Sequence, residues 1–182
     1  GNYVHDVALA TVVYPYNGKG IELWYDSNNN LIDNNTIVSA VTAGIGLGDN
    51  ANNNTISKNV ITGTTGFGGE GGAGILVTHF TGPTAPTANT FSENSIYGNF
   101  GIGIDLDNRT GASAFGDGVT ANDGALTVGT PNELMDTPVI VTANLVGTTL
   151  TLGGYVGSAP NQSTFASARV EFFKSNNGQG QT

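Results

Sequence analysis

The amino-acid sequence predicts an all-β chain: a parallel β-helix of about four coils followed by a small antiparallel β-sheet. Three observations predict it. Asparagine-led stretches recur along the chain, a second short segment opening on Gly-Ile follows each copy, and beyond residue 130 the repeat gives way to alternating strand-like runs. Composition agrees. Of 182 residues 28 are glycine, 38% are apolar and only 10% are charged, a balance that favours tight turns and strands over long helices.

The fullest copy is NTFSENSIYGNFGIGIDLDN, from Asn89 to Asn108; earlier ones are NNLIDNNTIV with GIELW, and NNTISKNVITG with GIGLG. Laid over one another, they align Asn30, Asn54 and Asn89 in one column and Asn35, Asn59 and Asn94 in a second. Ile32, Ile56 and Phe91 share a column, as do Ile37, Ile61 and Ile96. A fainter copy opens the chain, where Asn2, Val4 and Leu9 match the first-column register and Val7 stands in place of the second asparagine. The spacing between copies grows from 24 residues (Asn30 to Asn54) to 35 (Asn54 to Asn89). Two insertions, TTGFGGEGG at 64–72 and TGPTAPTA at 81–88, account for the difference, and their glycines and prolines mark them as surface loops.

Each Gly-Ile segment predicts one more strand. Because strand side chains alternate between faces, Ile21, Ile45, Ile75 and Ile104 point inward, followed by Leu23, Leu47, Val77 and Leu106. A single rung buries almost nothing. Rungs stacked ~4.8 Å apart build continuous aliphatic columns and pair every strand with its neighbours above and below. The asparagines fit such a stack, since each carboxamide can donate to and accept from the next and so satisfy polar groups that cost a few kcal/mol when buried unpaired. A solvent-exposed turn residue with a left-handed backbone is the alternative for each of them.

Charge excludes some functions. A formal net charge of -9 with five Lys and Arg leaves no basic stripe for nucleic acid or an anionic membrane surface. No apolar run approaches the ~18 residues of a membrane span, and the absence of cysteine rules out disulfides and thiolate metal sites. With the repeat already running at Asn2 and the polar GQGQT at its end, the chain reads as part of something longer.

NTISKNVITG, NTFSENSIYGNFGIGIDLDN, GDGVTANDG and GTPNELMDTPVI together resemble the right-handed parallel β-helix repeat proteins of bacterial surfaces and secretions. The resemblance implies a right-handed helix over residues 1–130. It implies a GIDL-containing last coil, an acidic loop and a PN-x-L-x-x-x-PV linker leading to a sandwich-like segment over 131–182, incomplete or completed by a partner. It also implies secretion or display at the cell surface. Within 131–182 the runs PVIVTA (138–143), TLTLGGYV (149–156) and ARVEFFK (168–174) predict three or four antiparallel strands, too few to close a sandwich.

Two clusters are candidate sites. Outward positions on the Gly-Ile strands gather Glu22, Trp24, Tyr25, Asp49 and His79 on one face, with Gly46 and Gly48 leaving a shallow gap beside the ring. Aromatic rings beside acids and amides suit a polysaccharide, while an outward Trp24 and Leu76 equally suit packing against a loop or the C-terminal sheet. The second cluster is acidic: Asp105 and Asp107 share a strand face roughly 7 Å apart. With Asn108, Asp117 and Asp123 they form a candidate calcium set, calcium being the one cofactor the sequence suggests. As a carboxylate pair, Asp105 and Asp107 could also serve glycoside cleavage. Lys19, Lys58, Lys174, Arg109 and Arg169 are scattered, His5 and His79 have no partner at a recognisable spacing, and the motifs of β-helix epimerases and polygalacturonases are absent. The Asn-x-Ser/Thr sequences at Asn34, Asn53, Asn108 and Asn161 follow from composition. The sequence therefore points to a structural or adhesive segment, self-associating or joined to adjacent domains, with a polysaccharide lyase, epimerase or hydrolase, or a carbohydrate-binding module, as the alternatives.

Overall fold

A computed structural model describes residues 1–7, 18–67, 70–110 and 115–173. Short strands wind through three parallel sheets. Tyr3–His5 (β1), Thr36–Val38 (β4), Val60–Thr62 (β7) and Ser95–Tyr97 (β10) form one; Lys19–Leu23 (β2), Ala43–Gly48 (β5), Ala73–His79 (β8) and Ile104–Thr110 (β11) form the second. The third holds Leu31–Asp33 (β3), Thr55–Ser57 (β6) and Thr90–Ser92 (β9). Every contact between coils is parallel, with the register the repeat implies: Ile21, Ile45, Ile75 and Ile104 stack, and so do Ile32, Ile56 and Phe91.

The core runs up the centre of the coils. Ile37, Ile45, Leu47, Ile56, Ile61, Ile75 and Val77 are fully buried, each contributing about 1.5–3 kcal/mol through loss of apolar surface to water. At the corners the chain turns on left-handed residues that also stack. Asn29, Asn53 and Ala88 precede the first asparagine column, Asn34, Lys58 and Glu93 the second, and Ser39, Gly63 and Gly98 mark a third corner, all at positive φ.

Both asparagine columns are ladders. Asn59 Oδ1 accepts the backbone and side-chain N–H groups of Asn35 at 2.9 and 3.0 Å, and Asn94 Oδ1 receives the same pair from Asn59. In the other column Asn54 serves Asn30, and Asn89 serves Asn54. The Nδ2 groups of Asn59, Asn89 and Asn94 donate to a carbonyl of the coil below, at Ile32, Ala51 and Ile56 respectively.

Several sequence expectations change. Asn2 and Val4 belong to the second column: Val4 pairs with Ile37, and Asn2 donates to Asn35 Oδ1. Both columns carry the same Asn-x-aliphatic pattern, so one isolated copy fits either, and only the hydrogen bonds decide; Leu9 lies outside the described residues. The 81–88 insertion is more than surface loop, because Ala85 and Pro86 are buried and the carbonyls of Thr84 and Thr87 accept the N–H groups of Asn50 and Asn53. Beyond the helix, the antiparallel sheet has two strands among the described residues, Pro138–Val146 (β12) and Thr149–Val156 (β13), with a bulge between Ile140 and Thr142. Residues 168–173 form no third strand. Their charged side chains turn to the end of the β-helix, where the Glu171 carboxylate accepts the Ser92 hydroxyl and the Glu93 N–H.

Candidate functional site

The outward face of the second sheet is built around glycine. Gly46 and Gly48 lie level with Glu22 and Trp24, and a Cβ on Gly48 would fall 1.8 Å from the Trp24 ring, so the indole rests directly on that backbone. A Cβ on Gly46 would meet the Lys19 stem at 2.2 Å. Lys19 thus lies flat along the sheet, its ammonium 2.7 Å from Glu22 and 5.2 Å from the centre of the Trp24 ring. Tyr25 and Phe80 flank the indole at 5.8 and 6.2 Å. The result is a half-exposed aromatic cluster beside an ion pair whose Lys19 side chain is buried and whose Glu22 is exposed. Leu76, on the same face, is buried, as a packing surface requires.

Asp49 and His79, placed in this cluster by sequence, hold the loop that follows β8. Asp49 is fully buried and accepts the N–H groups of Phe80, Thr81 and Gly82 at 2.6, 2.9 and 2.8 Å. His79 Nε2 lies 2.9 Å from the Gly82 carbonyl, and the Tyr25 hydroxyl 3.3 Å from that of Thr81. The loop's three amides converge on one carboxylate, an arrangement that spacing along the chain does not reveal.

The acidic cluster sits on β11 at the last coil. Asp105 stacks on Leu76 and Asp107 on Thr78, both buried. A bulge after Asp107 then shifts the register, so that Thr110 rather than Asn108 pairs with His79. Its cause is local: Asp107 Oδ1 accepts the backbone N–H of Arg109 at 2.9 Å and its Nε at 3.2 Å, curling the strand back on itself. Asp107 Oδ2 accepts the Gly116 N–H at 2.6 Å, and Arg109 also bridges to Glu70 at 3.3 Å.

Asp105 is the unusual member. Its Oδ2 accepts the Gly118 N–H at 3.0 Å, while its Oδ1 is buried with no partner among the described residues. Burial pushes its carboxyl up to about 7; the Gly118 hydrogen bond opposes the shift, and the charges of Asp117 and Asp107 add to it. Of the rest of the suggested calcium set, Asp107 and Asp117 lie near enough to act on it through charge. Asn108 and Asp123 are exposed, Asp123 accepts the Ala125 N–H at 2.8 Å, and its own N–H goes to Asp136 at 3.2 Å. Among the described residues no three His, Asp or Glu side chains converge on one point.

Sequence reasoning missed the residues that close the end of the helix. Asn132 lies in the tight turn Pro131–Leu134, at positive φ, and bonds to Asn89 and Pro86; Glu171 bonds to Ser92 and Glu93. Asp136, buried in the linker, gathers the N–H groups of Asp123 and Gly124. A family model described as a right handed beta helix region matches residues 1–119. No solved structure matches the chain.

Proposed function

The chain belongs to the right-handed β-helix family, and from that premise we propose that it is a non-catalytic structural segment of a secreted or cell-surface bacterial protein. The stacked coils make a stiff rod, and the uncharged ribbon β12–β13 makes adhesive contact with a neighbouring molecule or domain. What carries this reading is how the buried acids spend their oxygens. Asp49, Asp105, Asp107 and Asp136 all accept backbone N–H groups of loops and turns, which is the work of holding a rod's loops in place. The ribbon supports the adhesive part: Leu145 and Leu150 face each other across it, 66% and 56% exposed, and residues 138–156 carry no charge. Assays of depolymerisation on acidic and neutral glycans, with and without calcium, test it. Cleavage that disappears in Asp105→Ala or Asp107→Ala would overturn it.

A second reading, a carbohydrate-binding module without catalysis, is favoured by the half-exposed Trp24, Tyr25 and Phe80 cluster beside the Lys19 and Glu22 pair. Rings stack on sugar faces and the exposed Glu22 carboxylate bonds their hydroxyls. Binding on a glycan array that weakens in Tyr25→Ala supports this reading; binding indifferent to Tyr25→Ala sinks it.

A further inference from the structure

The chain contains two Asp-Gly pairs, Asp117-Gly118 and Asp123-Gly124, both in the acidic loop that follows the last coil. Each glycine is demanded by its turn, since φ is 85 at Gly118 and 84 at Gly124, where a side chain would be strained. The demand carries a chemical liability. A glycine nitrogen has no side chain to shield it, and attack on the carboxyl carbon of the preceding aspartate closes a five-membered ring.

In both pairs the glycine N–H is held by a buried aspartate from elsewhere in the chain. Gly118 donates to Asp105 Oδ2 at 3.0 Å and Gly124 to Asp136 Oδ2 at 2.8 Å. A nitrogen so engaged keeps its proton and its orientation, so ring closure waits until the bond opens.

The two holds are unequal. At the second pair, Asp136 Oδ1 also accepts the Asp123 N–H at 3.2 Å, Asp123 Oδ1 accepts the Ala125 N–H at 2.8 Å, and the Gly124 carbonyl accepts the Thr164 hydroxyl at 3.2 Å. The Gln162 side chain closes over Gly124, where a Cβ would collide with it. The first pair is open by comparison. Asp117 is exposed, its carboxyl makes no hydrogen bond among the described residues, and a Cβ on Gly118 would meet nothing within 4 Å. Its single hold is also poorly seated, because Asp105 Oδ1 is buried with no partner among the described residues.

We propose that Asp117 is a site of spontaneous backbone modification, isomerisation to isoaspartate, whose rate is set by Asp105, while Asp136 keeps Asp123 intact. Once released, the Gly118 nitrogen gives up its proton and attacks Asp117 Cγ; a carboxyl oxygen leaves as water and a succinimide forms. Water then reopens the ring. Cleavage between the nitrogen and Cγ restores aspartate, whereas cleavage between the nitrogen and the original carbonyl carbon leaves that carbon as a free carboxylate and routes the main chain through Cβ and Cγ. One water leaves and one enters, so no other reactant is needed. The product lengthens the main chain by one atom between two anchor bonds, Gly116 N–H to Asp107 at 2.6 Å and Gly118 N–H to Asp105. The loop thereby loses its register on the acids of β11.

The test holds the full chain in neutral buffer for several weeks and quantifies isoaspartate at each position by peptide mapping with electron-transfer fragmentation. Position 117 accumulates it on the order of 3–10-fold faster than position 123, the effect of about one net hydrogen bond. Asp105→Ala raises the rate at 117 by a further factor of about 3–10 and leaves 123 unchanged, so that 123 reports any general loosening of the fold. Asp105→Asn keeps an acceptor oxygen and leaves 117 near the parent rate. Asp136→Ala raises the rate at 123 and leaves 117 unchanged. Equal rates at the two positions in the parent chain, no acceleration at 117 in Asp105→Ala, or an equal rise at both positions in that variant overturns the proposal.

Discussion

Asn132 Oδ1 accepts the Asn89 N–H at 2.9 Å while Asn132 Nδ2 donates to the Asn89 carbonyl at 3.0 Å, so a residue of the linker stands on the asparagine ladder as its last rung. Asn89 is buried, and losing both bonds leaves its polar groups dry. Asn132→Ala should therefore cost ~1–3 kcal/mol. Because Asn132 sits at φ 44, Asn132→Gly removes the same side chain without the backbone strain and should cost ~0.5–1 kcal/mol less than alanine. Urea unfolding of the two variants separates the ladder contribution from the turn contribution; equal losses would mean that the turn geometry contributes nothing.

Inside the second ladder, Asn59 uses both faces of its carboxamide: Oδ1 accepts from Asn35, and Nδ2 donates to Asn94 Oδ1 and the Ile32 carbonyl. Asn59→Asp keeps the acceptors but sets carboxylate oxygens against two others in a buried site. At pH 7 it should be more destabilising than Asn59→Ala, itself ~2–4 kcal/mol, and the gap should narrow as acid protonates the new side chain. Thermal unfolding of both variants at pH 4 and pH 7 measures this.

The corner residues offer the opposite sign. Ala88 holds φ 55 at a position where its coil-mates are Asn29 and Asn53. Alanine is strained there and asparagine tolerates it. Ala88→Gly and Ala88→Asn should each stabilise the chain by ~0.5–1 kcal/mol, raising the thermal midpoint by about 2–4 °C. A fall in the midpoint would show that the Ala88 methyl contributes packing that the corner geometry conceals.

These residues also show what could be read from the sequence. The aliphatic and asparagine columns were legible because each rung repeats them, and a column buried in one coil is buried in the next. The register of the first copy was not, since Asn2 and Val4 satisfy either column equally. Asn132 stayed hidden because it lies 43 residues past Asn89 and outside the repeat, although it is an asparagine doing an asparagine's work. Asp49 and His79 were legible as neighbours of Trp24, but the amides of Phe80, Thr81 and Gly82 that occupy Asp49 converge only once the loop has folded. The bulge that displaces Asn108 and Arg109 arises from a side chain bonding its own backbone, which leaves no periodic trace.

Asp105 gives the fold a pH dependence with a definite sign. Its carboxyl is raised from 3.8 to about 7, chiefly by burial, so the folded chain holds a proton that the unfolded chain has released. The neutral form is the one the fold accommodates. Stability is therefore greatest below about pH 4 as far as this group is concerned, declines as pH rises between about 4 and 7, and levels off above, by an amount on the order of a few kcal/mol. Asp105→Asn should flatten that slope and be more stable than the parent chain at pH 8. Urea titrations from pH 4 to pH 8 on both proteins check it; parallel curves would remove Asp105 as the source.

The contact between Trp24 and Gly48 can be followed with a single probe, because Trp24 is the only tryptophan of the chain. A methyl on Gly48 would overlap the indole at 1.8 Å, and β5 beneath it is fixed by neighbours on both sides, β2 and β8. The ring must therefore lift, and with it go its contacts to Tyr25 and Phe80 and the position of the Lys19 ammonium over its face. Gly48→Ala should shift the tryptophan emission to the red, increase its quenching by acrylamide, and cost ~1–3 kcal/mol through overpacking. Gly46→Ala, which meets the flexible Lys19 stem instead of a ring, should cost less and leave the emission nearly where it was. If both variants move the emission alike, the indole is held by its neighbours and not by the glycine beneath it.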